Sequence, residues 1–261
     1  MRAACLHEKP SIERALRRDI WLHLYELGDL DEFFWPYTTW YGPESQTDGP
    51  IVLLYTGVPL PNLIALDSSP GSRMPELLRA VLHLLPARFY SHLSKGLRSV
   101  FEADYRIESH GHYLKMGLRK RERLEGINVS EVVPLTARDL AALNRLYQDS
   151  YPEHWFDQRM LETGCYFGIR QREELVSVAG IHVFSPGYRV AVLGNVTTRT
   201  DCRGQGLGRR TCARLCMHLV DRVDHIGLNV SASNAAAIRI YEGLGFEVVG
   251  EYDESMHTLK R

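Results

Sequence analysis

The chain has 261 residues, more than an ordinary single core of about 150 residues holds, so two domains are expected. Hydrophobic residues at 44% and charged residues at 24% exclude a disordered tail, a collagen-like repeat and a coiled-coil rod. With 31 basic against 32 acidic residues and a net charge of −1, no global positive field is available to hold nucleic acid or an anionic membrane.

The five cysteines, Cys5, Cys165, Cys202, Cys212 and Cys216, are odd in number and contain no Cys-x-x-Cys, which points to a reduced, cytoplasmic setting. The first ten residues hold no apolar stretch of signal-peptide length, and the apolar run 51–55 is too short to span a bilayer.

In chain order, Ser11 is read as the cap of a helix carrying Ile12, Ala15, Leu16, Ile20, Leu24 and Leu27. The aromatic group Trp21, Tyr25, Phe33, Phe34, Trp35, Tyr37, Trp40 and Tyr41 suits either a ligand pocket or core packing. Segments 51–55 and 63–66 flank a Gly/Pro-rich turn and predict a hairpin. Helix then hairpin recurs in the second half, so a degenerate internal duplication is one reading. The charged, glycine-bounded segment 118–126 predicts a linker between domains at 1–117 and 127–261, its basic run a solvated face.

Beyond it, 127–134 has strand composition, and Thr136 to Asp139 open a helix with Leu140, Leu143, Leu146 and Tyr147 at helical spacing. Segments 165–170, 176–184 and 189–198 predict three antiparallel strands. A helix follows, burying Cys212, Leu215, Cys216, Leu219, Val220 and Val223. A strand at 226–230, a helix at 234–242 and strands at 246–252 and 255–259 complete the chain.

The chemistry concentrates in 203–208, between a strand and a helix. Without side chains at Gly204, Gly206 and Gly208 the backbone can curl so that its N–H groups converge on an anion, and the following helix adds its positive end. The natural ligand is a phosphate or pyrophosphate, a plain structural turn being the alternative for the loop by itself. No Gly-Lys-Ser/Thr follows, and the third glycine of a dinucleotide fingerprint is missing, which sets aside nucleotide P-loops and Rossmann sites. Cys212, Cys216 and His218 share one helix, but two fall on its buried face and no second ligand pair occurs, so no metal is expected.

The loop Arg203, Gly206, Gly208 is followed one strand later by Asn234, Ala237, Tyr241, Gly245 and Phe246. This pairing of Arg-x-x-Gly-x-Gly with Asn-x-x-Ala-x-x-x-Tyr-x-x-x-Gly-Phe, over residues 127–261, resembles the GNAT superfamily of acyl-CoA-dependent N-acetyltransferases. Trp21 to Leu30 resembles the amino-terminal part of its two-domain members. The resemblance implies an α/β (α+β) fold with a mixed, mostly antiparallel central sheet flanked by helices. It also implies a second, smaller α/β domain at 1–117, read as a degenerate GNAT-like repeat.

It further implies acetyl-CoA as the acyl donor. The strand ending in Val196, Thr197 and Thr198 would splay from its neighbour and offer backbone groups to the pantetheine arm, with the Val196 amide near the thioester carbonyl. Arg203, Gly204, Gln205, Gly206, Leu207, Gly208 and Arg209 would take the pyrophosphate, and Asn234 would cap its helix while reaching the cofactor arm. Tyr241 would protonate the departing coenzyme A thiolate, a core tyrosine being the alternative. The family's frequent glutamate on the strand before the loop is missing, leaving His182, Glu153, His154 or water as the base. The implied activity is transfer of an acetyl group to an amine by direct attack in a ternary complex, the alternative being a non-catalytic acyl-CoA-binding module. A small amine or amino-acid-like acceptor is expected rather than a protein, with no nucleic acid, no membrane, and a monomer or homodimer.

Overall fold

A computed structural model describes residues 1–44, 49–69, 71–152 and 155–260. The fold is mixed α/β with a largely antiparallel sheet flanked by helices, and it divides into two units.

The first unit comprises residues 1–115, 230–233 and 248–261. Its elements are β1 (Ala3–Leu6), α1 (Lys9–Leu16), α2 (Leu24–Gly28), β2 (Thr38–Pro43), β3 (Val52–Tyr55), β4 (Asn62–Ala65), α3 (Met74–Val81), β5 (Arg88–Leu93) and most of β6 (Tyr105–Leu118). α3 presents Met74, Leu77, Leu78 and Val81 at i, i+3, i+4, i+7, all fully buried with Phe89, Phe101 and Tyr105. Each such side chain contributes roughly 1.5–3 kcal/mol through burial. The expected amino-terminal helix is broken: α1 starts after Glu8, with Pro10 in its first turn, and Ser11 lies inside it rather than capping it. Proline presets the first-turn dihedrals, so the helix begins earlier than a serine cap implies. The aromatic group divides: Trp40 is 1% exposed and stacked on Trp35, Tyr41 is buried in the cluster around α3, and Phe33 and Tyr37 are exposed.

The second unit comprises residues 116–229 and 234–247. It contains β7 (Val133–Pro134), α4 (Leu140–Ser150), β8 (Phe167–Gln171), β9 (Glu174–Ser185), β10 (Val190–Thr198), α5 (Leu207–Leu219), most of β11 (His225–Ser231), α6 (Ala235–Gly243) and the start of β12 (Phe246–Leu259). The Thr136–Asp139 capping box opens the α4 segment as expected. The β8–β9 hairpin turns through Arg172 and Glu173, both at positive φ as a primed two-residue turn requires. The strand expected over 127–134 shrinks to two residues, and the two carboxy-terminal strands are one continuous β12.

The two units repeat one pattern. In the first, β1-β2-β3-β4-β5 run antiparallel, antiparallel, antiparallel, parallel, with α3 crossing between the parallel pair. In the second, β7-β8-β9-β10-β11 do the same, with α5 crossing.

The division differs from the expected one at 118–126. That segment is no free linker: Arg121 donates to the carbonyls of Val220 and Asp224, Arg123 to that of Glu242, and Leu124 is buried, all within the second unit. A Cβ on Gly245, at φ +98, would lie 2.1 Å from the Lys120 carbonyl oxygen, so only glycine lets this segment pack. Residues 248–259, expected in the second domain, belong to the first unit, where Asp253 to Thr258 pair with Leu93 to Arg88. Local pattern marks a strand but not its partner, which is why the boundary escaped the sequence.

Candidate active site

The site is built at the end of β10. Its first four residues pair in parallel with β11, Val190 with His225 through Leu193 with Leu228, and the pairing stops there. On the other edge β10 stays with β9 as far as Thr198, interrupted by a bulge between Gly194 and Thr197. Residues 194–198 therefore have β9 on one edge and an open seam on the other, where backbone groups need partners. The corresponding parallel pair of the first unit does not open, since all four residues of β4 pair with β5.

Asn195 makes the bulge. It sits at φ +54, a left-handed conformation uncommon for a non-glycine residue, and is 2% exposed. Its Nδ2 donates to the Tyr166 hydroxyl at 3.0 Å, and its carbonyl accepts from the Tyr147 hydroxyl at 3.0 Å. Tyr166 donates in turn to the Ile181 carbonyl at 3.0 Å. Burial pushes both phenols well above their ordinary pKa, so each keeps the proton it donates. Asparagine, a poor strand former amid Val, Leu and Thr, was the signal in the sequence that marks this bulge. Of the bulge and the strand end, Val196 and Thr198 are half-buried and Thr197 is buried, its hydroxyl donating to the Ser150 carbonyl at 3.4 Å.

The chain continues through a single 3-10 turn, Thr200–Cys202, into the glycine loop. Gly204 and Gly206 take φ +78 and +73, and a Cβ at either would meet nothing within 4 Å. The loop thus curls as only glycine does readily, and its outer side is open. Gly206 is the N-cap of α5 and offers no side chain, leaving the first-turn N–H groups of a 13-residue helix without an internal acceptor. Arg203, Gly204, Gln205 and Arg209 are exposed around this end, whereas Leu207 is buried and anchors it. Arg203 donates to the Thr198 carbonyl, tying loop to strand. The equivalent strand-to-helix crossing in the first unit is already filled: Asp67 accepts from the Ser69 amide at 2.8 Å and from the Ser72 hydroxyl. A carboxylate there excludes an anion. A surface depression of about 510 Å3 near the end of β10, lined by Asp149, Ser150, Glu174, Arg199, Thr200 and Asp201, is likewise unsuited to phosphate, with three carboxylates against one guanidinium.

Asn234 caps α6, its Oδ1 accepting from the Ala237 amide at 3.1 Å. Tyr241 lies on the same helix, 8% exposed, its ring edge-on to Phe246 with centroids 5.8 Å apart. Of the base candidates, His182 on β9 lies against Gly194 at the start of the bulge and meets Trp155 edge-on at 5.7 Å. Glu153 and His154 lie outside the described residues. No cluster of three or more metal-binding side chains occurs among the described residues, and no helix there is long and apolar enough to cross a membrane.

An opened parallel seam running into an uncapped, glycine-built helix start defines a protein that can take an extended ligand with an anionic group. Residues 135–246 match the acetyltransferase (GNAT) family. The chain is 32% identical over 127 residues to the [ribosomal protein bS18]-alanine N-acetyltransferase of Escherichia coli K12, an alignment covering 45% of this chain and 81% of that protein. Among solved structures, a Drosophila protein superposes over 98% of both chains with a TM-score of 0.73 at 13% identity. A putative GNAT acetyltransferase from Novosphingobium aromaticivorans covers 80% of this chain and 89% of its own, with a TM-score of 0.60 at 20% identity. The chain belongs to the GNAT family and is an N-acetyltransferase of that type.

Proposed function

We propose that the protein moves an acetyl group from acetyl-CoA to an amine by direct attack in a ternary complex. The observation that carries this is the coincidence, in one unit, of the β10–β11 pairing that ends at Leu193 and Leu228 with the uncapped glycine loop that follows. Their counterparts in the first unit are paired and carboxylate-filled. The first unit is accordingly read as a degenerate GNAT-like repeat that holds no cofactor.

The residues present suit the donor, since the outer side of the loop is open at Gly204 and Gly206. Acetyl-CoA supplies an activated thioester. The amides of 203–209 hold its pyrophosphate, with Arg203 and Arg209 adding charge. The free edge of Val196, Thr197 and Thr198 pairs with the pantetheine arm, and Asn234 adds a polar contact beside its capping role. The Val196 amide donates to the oxygen on which negative charge develops. Tyr241 gives a proton to the leaving thiolate, and His182, held against the bulge, receives the proton of the attacking amine.

The acceptor is an amine, and a small amine or amino acid is the first reading. The Escherichia coli relative is named for an alanine of a ribosomal protein, so the α-amine of an alanine-initiated peptide is the second. Coenzyme A release with acetyl-CoA over free amines, amino acids and alanine-initiated peptides tests both. Release with one class identifies the acceptor. Tight acetyl-CoA binding with no release across the panel would return the protein to a non-catalytic binding module.

A further inference from the structure

Asn195 carries two costs at one position. A side chain at φ +54 is disfavoured relative to glycine, even for asparagine, which tolerates it best, and its Oδ1 is buried with no hydrogen-bond partner among the described residues. Glycine would remove both, yet the chain keeps a side chain here. That side chain and its carbonyl are held from two directions, by Tyr166 of the β7–β8 side and by Tyr147 of α4. The Tyr166 ring is itself seated over Gly180, where a Cβ would come within 2.1 Å of it. Both phenols are at least nine-tenths buried, so the clamp is part of the packed interior rather than a surface contact. The next residue is the half-buried Val196, which begins the stretch beyond the bulge that has no β11 partner. Local strain that a surrounding network over-determines is the signature of a backbone group aimed for a purpose.

We propose that Asn195 is a positioning residue which, clamped between Tyr147 and Tyr166, aims the Val196 amide at the thioester carbonyl. The inference rests on the acetyl-CoA reading above. Asn195 touches no reacting atom; it acts by fixing the peptide that does. A preorganised donor stabilises developing charge only while its direction is held, and a donor free to swing forfeits much of that effect. The clamp leaves the pyrophosphate loop alone, so its loss separates binding from chemistry.

The test compares wild type with Asn195→Gly, which accepts the positive φ but cuts the bond to Tyr166, and with Tyr147→Phe, which cuts the bond to the Asn195 carbonyl. Acetyl-CoA labelled at the thioester carbonyl is bound to each, and its carbonyl stretch is recorded by isotope-edited infrared spectroscopy alongside the dissociation constant. The expected result is a stretch lowered in wild type and returned toward its solution frequency in Asn195→Gly, with affinity changed less than about threefold. Single-turnover transfer should fall at least tenfold with the pH profile unmoved, a part of the roughly 10²–10³ that a lost oxyanion donor costs. An unshifted carbonyl stretch between wild type and both variants, or parallel loss of affinity and rate, overturns the positioning role while leaving the acetyl-CoA reading intact. A folded wild-type protein that binds no acetyl-CoA overturns the reading itself and this inference with it. Tyr147→Phe guards against a folding defect peculiar to position 195, since it keeps the ring and removes one hydroxyl.

Discussion

The imidazole of His182 lies directly over the backbone of Gly194, so close that a Cβ at 194 would sit 2.2 Å from the ring. The missing side chain on β10 is what lets the histidine of β9 reach the bulge. Glycine in a strand interior is otherwise a loss of packing and of entropy, and here it marks a close approach.

Gly194→Ala should therefore lower the unfolding free energy by about 1–3 kcal/mol, the usual cost of forcing a side chain into occupied space. His182→Ala in the same background should restore most of it, and urea unfolding of the two single variants and the double variant measures the coupling. If His182 receives the acceptor's proton, the double variant regains stability without regaining turnover. Recovery of both would leave the histidine as packing.

Gly206→Glu should weaken acetyl-CoA binding by more than about 100-fold, because a carboxylate would face the anion in the loop. Gly206→Asn separates charge from strain, since asparagine tolerates positive φ better than other side chains. Its affinity should stay within about tenfold of wild type, as read by calorimetry. Equal loss in both variants would mean that backbone geometry alone sets the affinity.

Tyr241→Phe keeps the ring that packs on Phe246 and removes only the hydroxyl. Stability and acetyl-CoA affinity should hardly change, while single-turnover transfer should fall roughly 10²- to 10⁴-fold if the phenol is the general acid. Single turnover is the right measurement because slow coenzyme A release hides a chemical step. A fully active variant would leave Tyr241 as core and proton delivery to water.

His257 is fully buried in the first unit, stacked on Phe89 and bonded to the Ser91 hydroxyl at 2.8 Å. Burial, helped by the charge of Arg98, pushes its pKa down to about 4. The unfolded chain then binds a proton near pH 6.5 that the folded chain refuses until about pH 4, so stability rises with pH across that window and is flat above it. The first unit should lose up to about 3 kcal/mol between pH 7 and pH 4 from this group. Urea midpoints over that range, compared with His257→Phe, should show a shallower slope in the variant.

Deleting residues 248–261 should unravel the first unit, because Asp253 to Thr258 form a full edge of antiparallel pairs with β5. Hydrogen exchange at 88–93 reads this directly. Protection unchanged by the deletion would show that β5 holds without β12.

Much of the candidate site was legible because its parts are local. The glycine loop from Arg203 to Gly208, the helix it opens and the Asn234 cap each lie within a few residues, where dihedral preference and capping chemistry are written in neighbouring side chains. Helical spacing identified the α4 and α5 faces for the same reason, and the β8–β10 meander followed from alternation and a polar turn. What no local pattern carries is which strand lies beside which, or where pairing stops. The open seam after Leu193, the bulge clamped on Asn195 by Tyr147 and Tyr166, and the pairing of β12 with β5 join residues 29 to 170 positions apart. Tertiary packing alone chose among the partners that the same strand patterns permit, because pairing and burial reward contacts far apart in the chain that no short window of sequence contains.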